Sequence, residues 1–208
     1  GGADQGVGGN GGGCVRLDVA GHAVINGTIR ATGSDSANWR SAGGSGGGIL
    51  INCLDLASTN GLVTANGGNA NGNKTDGAGG GGGGRVAVLY DPVAQSNLNL
   101  TARPSLQIAA NDGCGQAWGR PGTLYLPDTS IYPVATIRGG QLLMPGFSAW
   151  APDSLTVTDG LAVFPASFQL TVTNNVTVGG LGGIELSNGM FTAGGNLRID
   201  NDSLWWGA

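Results

Sequence analysis

Residues 76–86 read DGAGGGGGGRV, six consecutive glycines at 79–84 closed by Arg85 and Val86. Ordering a glycine costs roughly 0.5–1 kcal/mol more than ordering an alanine, so such a run is a linker unless the fold compensates it. Recurrence decides between the two. GGNGGG ends at Gly13, GGSGGG at Gly48, GGGGGG at Gly84 and a degenerate GRPG at Gly122, in steps of 35, 36 and 38 residues. Each run is followed by an apolar stretch: CVRLDVA, ILINCLDLA, RVAVLYD and TLYLPD. A run that returns in phase ahead of a strand reads as a wall of the fold, with interchain N–H···O bonds between extended or polyproline-II-like segments offsetting the entropy.

A second strand keeps the same phase. NGTIRATG from Asn26 aligns with NGLVTANG from Asn60, 34 residues on, and more loosely with NLNLTAR from Asn97. That alignment groups Ile29, Val63 and Leu100 at one position and Ala31, Ala65 and Ala102 at another. An acid recurs at the end of the first strand, at Asp18, Asp55 and Asp91. Beyond about Ser130 the rhythm quickens: LTVT, LAVF, LTVT, VTVG, IELS, MFTA, LRID and SLWW begin about every seven residues between residues 155 and 206. Hairpins do not account for whole strand, turn and glycine units repeating in phase. A coil climbing one rung per repeat does, stacking equivalent residues about 4.8 Å apart on parallel ladders. The loops SDSANWRSA and GNANGNKTD are expected to protrude.

Composition agrees. The chain has 208 residues, 43 of them Gly and only 11% charged, with one Lys (Lys74), one Glu (Glu185) and one His (His22). Few good helix formers remain, so the expected class is all-β. The net charge of −4 is spread without a basic stripe, which argues against a nucleic-acid partner. No apolar run reaches the roughly 18 residues of a membrane span. The opening GGADQGVGGN reads as cut from a longer precursor.

The succession GGSGGGILINCLDLASTNGLVTANGGNA, GGGGGGRVAVLYD, GRPGTLYLPD, SLTVTDGLAV and LTVTNNVTVGG resembles the Gly-rich parallel β-helix regions of very large secreted and cell-surface proteins, adhesin- or autotransporter-like. The resemblance covers nearly the whole chain and implies a right-handed parallel β-helix serving as a structural or adhesive extracellular rod. It transfers no catalytic motif. SANWRSA and the closing SLWWGA depart from the pattern.

Chemical motifs are present only in outline. A phosphate loop needs Lys and Ser/Thr after its glycines, but residues 79–84 are followed by Arg85 and Val86. GGSGG around Ser45 fits G-x-S-x-G, yet the hydrolase elbow needs a strand-to-helix turn and a later His, and His22 precedes it. Asp18, Asp55 and Asp91 stack either as an acidic row or, as favoured, as a ladder of Asx turns. NDG at residues 111–113 reads as a turn before a metal site. Cys14, Cys53 and Cys114 match no metal spacing and leave open one disulfide plus a free thiol, or unpaired cysteines. Sequons fall at Asn26, Asn73, Asn99, Asn175 and Asn201.

The expectation is therefore an all-β, right-handed parallel β-helix. Residues 1–127 form Gly-rich repeats of about 36 residues with stacked glycine segments on one side, and residues 128–208 form continuous coils of shorter period. No catalytic, cofactor or metal residue is assigned. The expected function is that of a non-enzymatic, extracellular or cell-surface structural rod that self-associates into a filament. A carbohydrate-binding adhesin using Trp39 and Trp118 comes second. Trp205 and Trp206, adjacent in a strand, point to opposite faces, one into core or cap and one toward solvent or a partner. A glycan-cleaving β-helix, which needs Asp side chains converging in a groove beside an Arg, comes third. Ice binding is a distant fourth, since no threonine array extends beyond the two LTVT strands.

Overall fold

The computed structural model describes residues 6–71, 78–102, 104–117, 119–132, 135–200 and, by backbone alone, 204–207. The first region contains β1 (Cys14–Asp18), β2 (His22–Val24), β3 (Thr28–Arg30), β4 (Gly48–Asn52), β5 (Asp55–Ala57), β6 (Gly61–Thr64), β7 (Arg85–Leu89), α1 (Pro92–Asn99), β8 (Leu106–Ala109) and β9 (Thr123–Tyr125). There follow β10 (Ala135–Ile137), β11 (Gly140–Leu143), β12 (Ala149–Trp150), β13 (Leu155–Thr158), β14 (Leu161–Val163), β15 (Gln169–Val172), β16 (Val176–Gly179), β17 (Gly183–Leu186), β18 (Met190–Ala193), β19 (Leu197–Ile199) and β20 (Leu204–Gly207).

The described chain is all-β with parallel sheets and one helix. One eight-stranded sheet takes every region in turn, in the order β1-β4-β7-β9-β11-β14-β17-β20. Smaller sheets run β3-β6-β8, β10-β13-β16-β19, β12-β15-β18 and β2-β5. Pairing is one repeat to the next: Cys14 faces Gly48, which faces Arg85, which faces Thr123, offsets of 34, 37 and 38 residues. From β10 on, offsets fall to 20–22, as in Ala135 with Leu155 and Leu161 with Gly183. The expected strands after the glycine runs and the seven-residue rhythm are both present.

Alternation explains which residues enter the core. In β4 and β7, Ile49, Ile51, Val86 and Val88 are buried while Asn52 and Arg85 face out. Register stacks Ile49 on Val86 and Val86 on Leu124, so like apolar groups pack repeat upon repeat. A fully buried Val, Leu or Ile stabilises by roughly 1.5–3 kcal/mol. The second region continues this core with Leu155, Val157, Val176, Val178, Ile184 and Leu186, and adds tilted aromatic contacts of Phe147, Phe164 and Phe168.

The glycine runs are bonded parts of the fold. Gly43 and Gly46 donate to the carbonyls of Gly79 and Gly82 at 3.1 and 2.8 Å, and Gly80 and Gly83 donate to those of Ala117 and Arg120, both at 2.9 Å. A facing row runs the other way: Gly44 and Gly47 donate to Ser34 and Ala31, and Gly81 and Gly84 to Gly68 and Ala65. Donors in each row recur every third residue, the turn length of polyproline II, whose peptide groups are all free to bond outward. Two residues of each three are closed in by backbone. A Cβ on Gly44 would fall inside the carbonyl of Asn10, and one on Gly81 inside that of Gly44, whereas Gly82 has 3.6 Å to its nearest neighbour.

Four expectations are corrected. NLNLTAR is no strand, because Asp91 caps α1 by accepting from the Ala94 N–H at 2.8 Å and Pro92 opens the helix. The third strand of the ladder is β8, so Ile29 and Val63 stack on Ile108 and not on Leu100, and Ala65 donates to Ala109, not Ala102. The NDG stretch is no turn: Gly113 donates to the Gly81 carbonyl inside the glycine lattice. The first loop does not protrude whole: residues 34–35 and 37–39 stand exposed, but the main-chain N–H groups of Ser34 and Ser36 donate to Asn10 and Asn69, and Ser36 and Ser41 are buried.

The helix occupies the place where β2-β5 would continue. Gln95, fully buried, presents its carboxamide to β5 as a strand would: Oε1 accepts from the Leu56 N–H at 2.8 Å and Nε2 donates to the Leu56 carbonyl at 3.0 Å. One side chain thereby satisfies two backbone groups that burial would otherwise orphan.

Candidate functional site

The acids singled out by their spacing are not brought together. Asp18 faces Asn52 across the ladder, and its carboxylate accepts from Arg16 Nε at 2.6 Å, a bond that holds the Asp18 carboxyl below its ordinary range. Asp55 faces His22 and bonds its Nδ1, and Asp91 caps the helix. Neither an acidic row nor an Asx ladder forms. Ser45 lies exposed in the glycine lattice, where its carbonyl accepts from Gly12, and not on a strand-to-helix turn.

All three cysteines are free thiols. Cys14 and Cys114 are exposed; Cys53 is buried, and burial pushes its thiol up to about 11. Of the sequon asparagines, Asn26 and Asn175 are exposed and accept from Thr59 and Asn196, while Asn99 is half-buried and donates to the Ser130 carbonyl. Asn73 and Asn201 lie outside the described residues. Trp39 is 52% exposed, Trp118 lies outside the described residues, and the backbone of Trp205 and Trp206 pairs with Ile184 and Glu185.

The structure instead builds a polar cleft that composition did not announce. It measures about 540 Å³ and runs along the outer face of β3-β6-β8 into the second region. Arg30, Thr32 and Asp35 bound it at one end, and Arg138 and Asp159, an ion pair at 3.2 Å, at the other. Between them lie Thr64, Asn66, Ala109 and Asn111. Alternation puts these residues there: Ile29, Val63 and Ile108 turn inward, so Arg30, Thr64 and Ala109, in register on the three strands, turn outward. Thr64 on β6 and Ala109 on β8 are smaller than Arg30 on β3 and Arg138 beyond β8, which leaves a hollow between the two arginines.

Side-chain bonds fix one wall of this cleft. Asn66 Oδ1 accepts from the Asn111 N–H at 2.9 Å, Asn111 Nδ2 donates to the Asp159 carbonyl at 2.7 Å, and Asp35 Oδ1 accepts from the Asn69 N–H at 2.6 Å. Thr32 Oγ1, Thr64 Oγ1 and Asn111 Oδ1 are buried with no hydrogen-bond partner. Thr64 as a whole is only 5% exposed. Unpaired buried oxygens are rare in folded proteins, each costing about 1–3 kcal/mol; here two, on Thr32 and Thr64, lie under one cleft, while Asn111 Oδ1 is closed in against Gly139 and Gly160.

A second cleft of about 440 Å³ shares Asn111 and Asp159 with the first, where the glycine lattice ends. Pro121, Leu161 and Leu181 give it an apolar floor. Asp112 stands at its edge with its carboxyl raised by burial, an effect that Arg120 opposes.

Asp35 and Asp159 do not form a catalytic pair. They follow β3 and β13, strands of separate sheets joined by the Ala110 N–H on the Gly139 carbonyl, so their coils lie four steps apart, or roughly 19 Å at the spacing of parallel strands. Glycoside cleavage by paired carboxylates needs about 5–9.5 Å. The described residues contain no group of three His, Cys, Asp or Glu side chains placed to hold a metal, and no helix among them is long and apolar enough to cross a membrane. No family model, curated protein or solved structure matches the chain.

Proposed function

We propose that the chain winds as a right-handed parallel β-helix and serves as a segment of an extracellular structural rod that extends end to end. What supports the winding is the pairing of each strand with its counterpart one repeat later, without hairpins, in sheets shared by both regions. The glycine lattice then forms one side of the thicker part of the rod, and it braces the coils through main-chain bonds that need no charged surface.

The observation that carries the structural reading is the stacking of each repeat on the next in register, a pattern that a further copy of the same coil can extend along the rod axis. Among the described residues β1 pairs on one side only, with β4, and β20 on one side only, with β17. Apolar side chains stand exposed beside both: Leu17, Val19 and Val24 at the first, Met190, Leu197 and Ile199 toward the second. Parallel edges of this kind accept strand addition. A head-to-tail contact that does not close gives a filament, so the partner is a second copy. Export suits the exposed sequon residues Asn26 and Asn175.

Sedimentation velocity with negative-stain microscopy across a concentration series tests this. Concentration-dependent polymers one coil wide are expected, and Leu197→Asp with Ile199→Asp should abolish them while leaving the circular dichroism of the monomer unchanged. A monodisperse monomer at millimolar concentration overturns the filament.

A further inference from the structure

The polar cleft opens on the outer face of β3-β6-β8, so a strand added beside the edge strand β3 would extend that face and not cover it, and end-to-end assembly leaves the cleft free. We infer that it is a binding site for a neutral oligosaccharide of about three sugar units. The inference stands independently of the rod.

Length comes from the ladder. Arg30, Thr64 and Ala109 are in register on successive strands, and the Ala110 N–H reaches the Gly139 carbonyl next to Arg138. Arg30 and Arg138 therefore stand three steps apart, about 14 Å at the parallel-strand spacing, which is close to the span of three pyranose rings. A ligand lying across the strands meets a new side chain at every step.

The chemistry comes from the lining. Planar donors and acceptors alternate along it: the guanidinium of Arg30, the hydroxyls of Thr32 and Thr64, the carboxamides of Asn66 and Asn111, and the Arg138–Asp159 pair. Vicinal sugar hydroxyls, each both donor and acceptor, match such groups bidentately. The hydroxyls of Thr32 and Thr64, each able to donate and to accept, have no partner on the protein, and a sugar hydroxyl settling onto the floor can pair with them.

Two other ligand classes fit less well. A peptide adding a strand needs free main-chain groups, but those of the floor are consumed: Ala31 donates to the Thr64 carbonyl and Ala65 to that of Ala109. A polyanion would meet Asp35 and Asp159 at the two ends, with the two arginines matched by two acids. Electroneutrality over the site favours an uncharged glycan.

The probe is a panel of neutral trisaccharides, maltotriose, cellotriose and N,N′,N″-triacetylchitotriose, with trigalacturonate as the acidic comparator, titrated calorimetrically into the full chain. At least one neutral trisaccharide should bind more tightly than its disaccharide and more tightly than trigalacturonate. Arg30→Ala, Arg138→Ala and Thr64→Val should each weaken that binding by about tenfold or more, one lost buried hydrogen bond. Arg16→Ala, on the other sheet, should leave it unchanged. Thr64→Val keeps side-chain volume and removes an unpaired hydroxyl, so its melting temperature should not fall, which separates lost binding from lost folding. No binding by any neutral trisaccharide, preference for trigalacturonate, or binding that survives both arginine replacements overturns the assignment.

Discussion

The two regions of the molecule turn the same kind of corner in different ways. In the first, ladder partners lie 34–38 residues apart along the eight-stranded sheet, and the chain between strands passes through the glycine lattice. In the second they lie 20–22 apart, and corners are made by single left-handed residues in columns: Gly146, Ser167 and Asn188 at φ of 65°, 60° and 52°, and Asp159 and Gly180 at 61° and 58°. Glycine is needed in both regions for different reasons. In the lattice there is no room for a Cβ, while at the corners the requirement is a positive φ.

The largest effect should come from breaking the lattice. Gly81→Val puts a branched side chain where the Gly44 carbonyl already lies, with backbone on both sides and nothing able to yield. A loss of more than about 3 kcal/mol is expected, at or beyond the upper end of ordinary overpacking. Gly82→Ala, one residue on and with room for a Cβ, should cost less than about 0.5 kcal/mol. Urea unfolding followed by circular dichroism measures both. Equal effects at the two positions would mean that the run is not a lattice with a three-residue period.

The second test replaces the one helix's grip on the first region. Gln95→Leu keeps an apolar volume under α1 but leaves the Leu56 N–H and C=O buried and unpaired. About 2–4 kcal/mol should be lost, with each orphaned group contributing 1–3. Hydrogen exchange should show the amides of β5 opening first. The second region, which has no such insertion among its described residues, should keep its protection.

These contrasts also show what the sequence could and could not disclose. The strands after each glycine run were legible because Ile49, Ile51, Val86 and Val88 alternate with outward residues and the runs recur in phase. The 34-residue offset of NGTIRATG and NGLVTANG is the register found. The helix was hidden by a chain poor in helix formers, although Asp91 followed by Pro92 is a start signal in its own right. Once α1 is inserted, the next strand lies 45 residues on, at Leu106 after Gly61, so period counting placed Leu100 where Ile108 belongs. The cleft was legible only in part. Alternation predicts that Arg30 and Thr64 point outward together, but Arg138 and Asp159 join them through the change of period, which no local pattern records.

The regions differ, too, in the titratable groups of their cores. The first buries Cys53, whose thiol is pushed up to about 11, and Tyr90, which burial and the Asp128 contact raise. The second buries Tyr132, whose hydroxyl burial raises from an already high value, and is otherwise filled by Leu, Val, Ile, Phe and Ala from residue 155 to 186. A group whose folded pKa is raised contributes stability below its unfolded value and loses it as pH climbs. An unfolded thiol ionises near 8.5 while the folded one keeps its proton to about 11, so the first region should weaken between those values. Thermal melts should show a lower melting temperature at pH 10 than at pH 7.5, and hydrogen exchange should place the loss of protection in the first region. Cys53→Val should reduce that pH dependence below pH 10.

The smallest expected effect is a gain, and it isolates the corner mechanism. Ser167 is exposed and holds φ at 60° while its N–H donates to the Ser187 carbonyl at 2.8 Å. A left-handed conformation costs a residue with a Cβ roughly 1–2 kcal/mol, and glycine avoids this. Glycine gives back about 0.5–1 kcal/mol through the entropy it loses on folding. Ser167→Gly should therefore stabilise by about 0.5–1 kcal/mol, and Gly180→Ala, the reverse exchange in the neighbouring column, should destabilise by a similar amount. Chemical denaturation resolves both. If Ser167→Gly destabilised the protein, its side chain would be bearing load that its exposed position does not suggest, and the corners of the second region would have to be held by side-chain contacts instead of by backbone conformation.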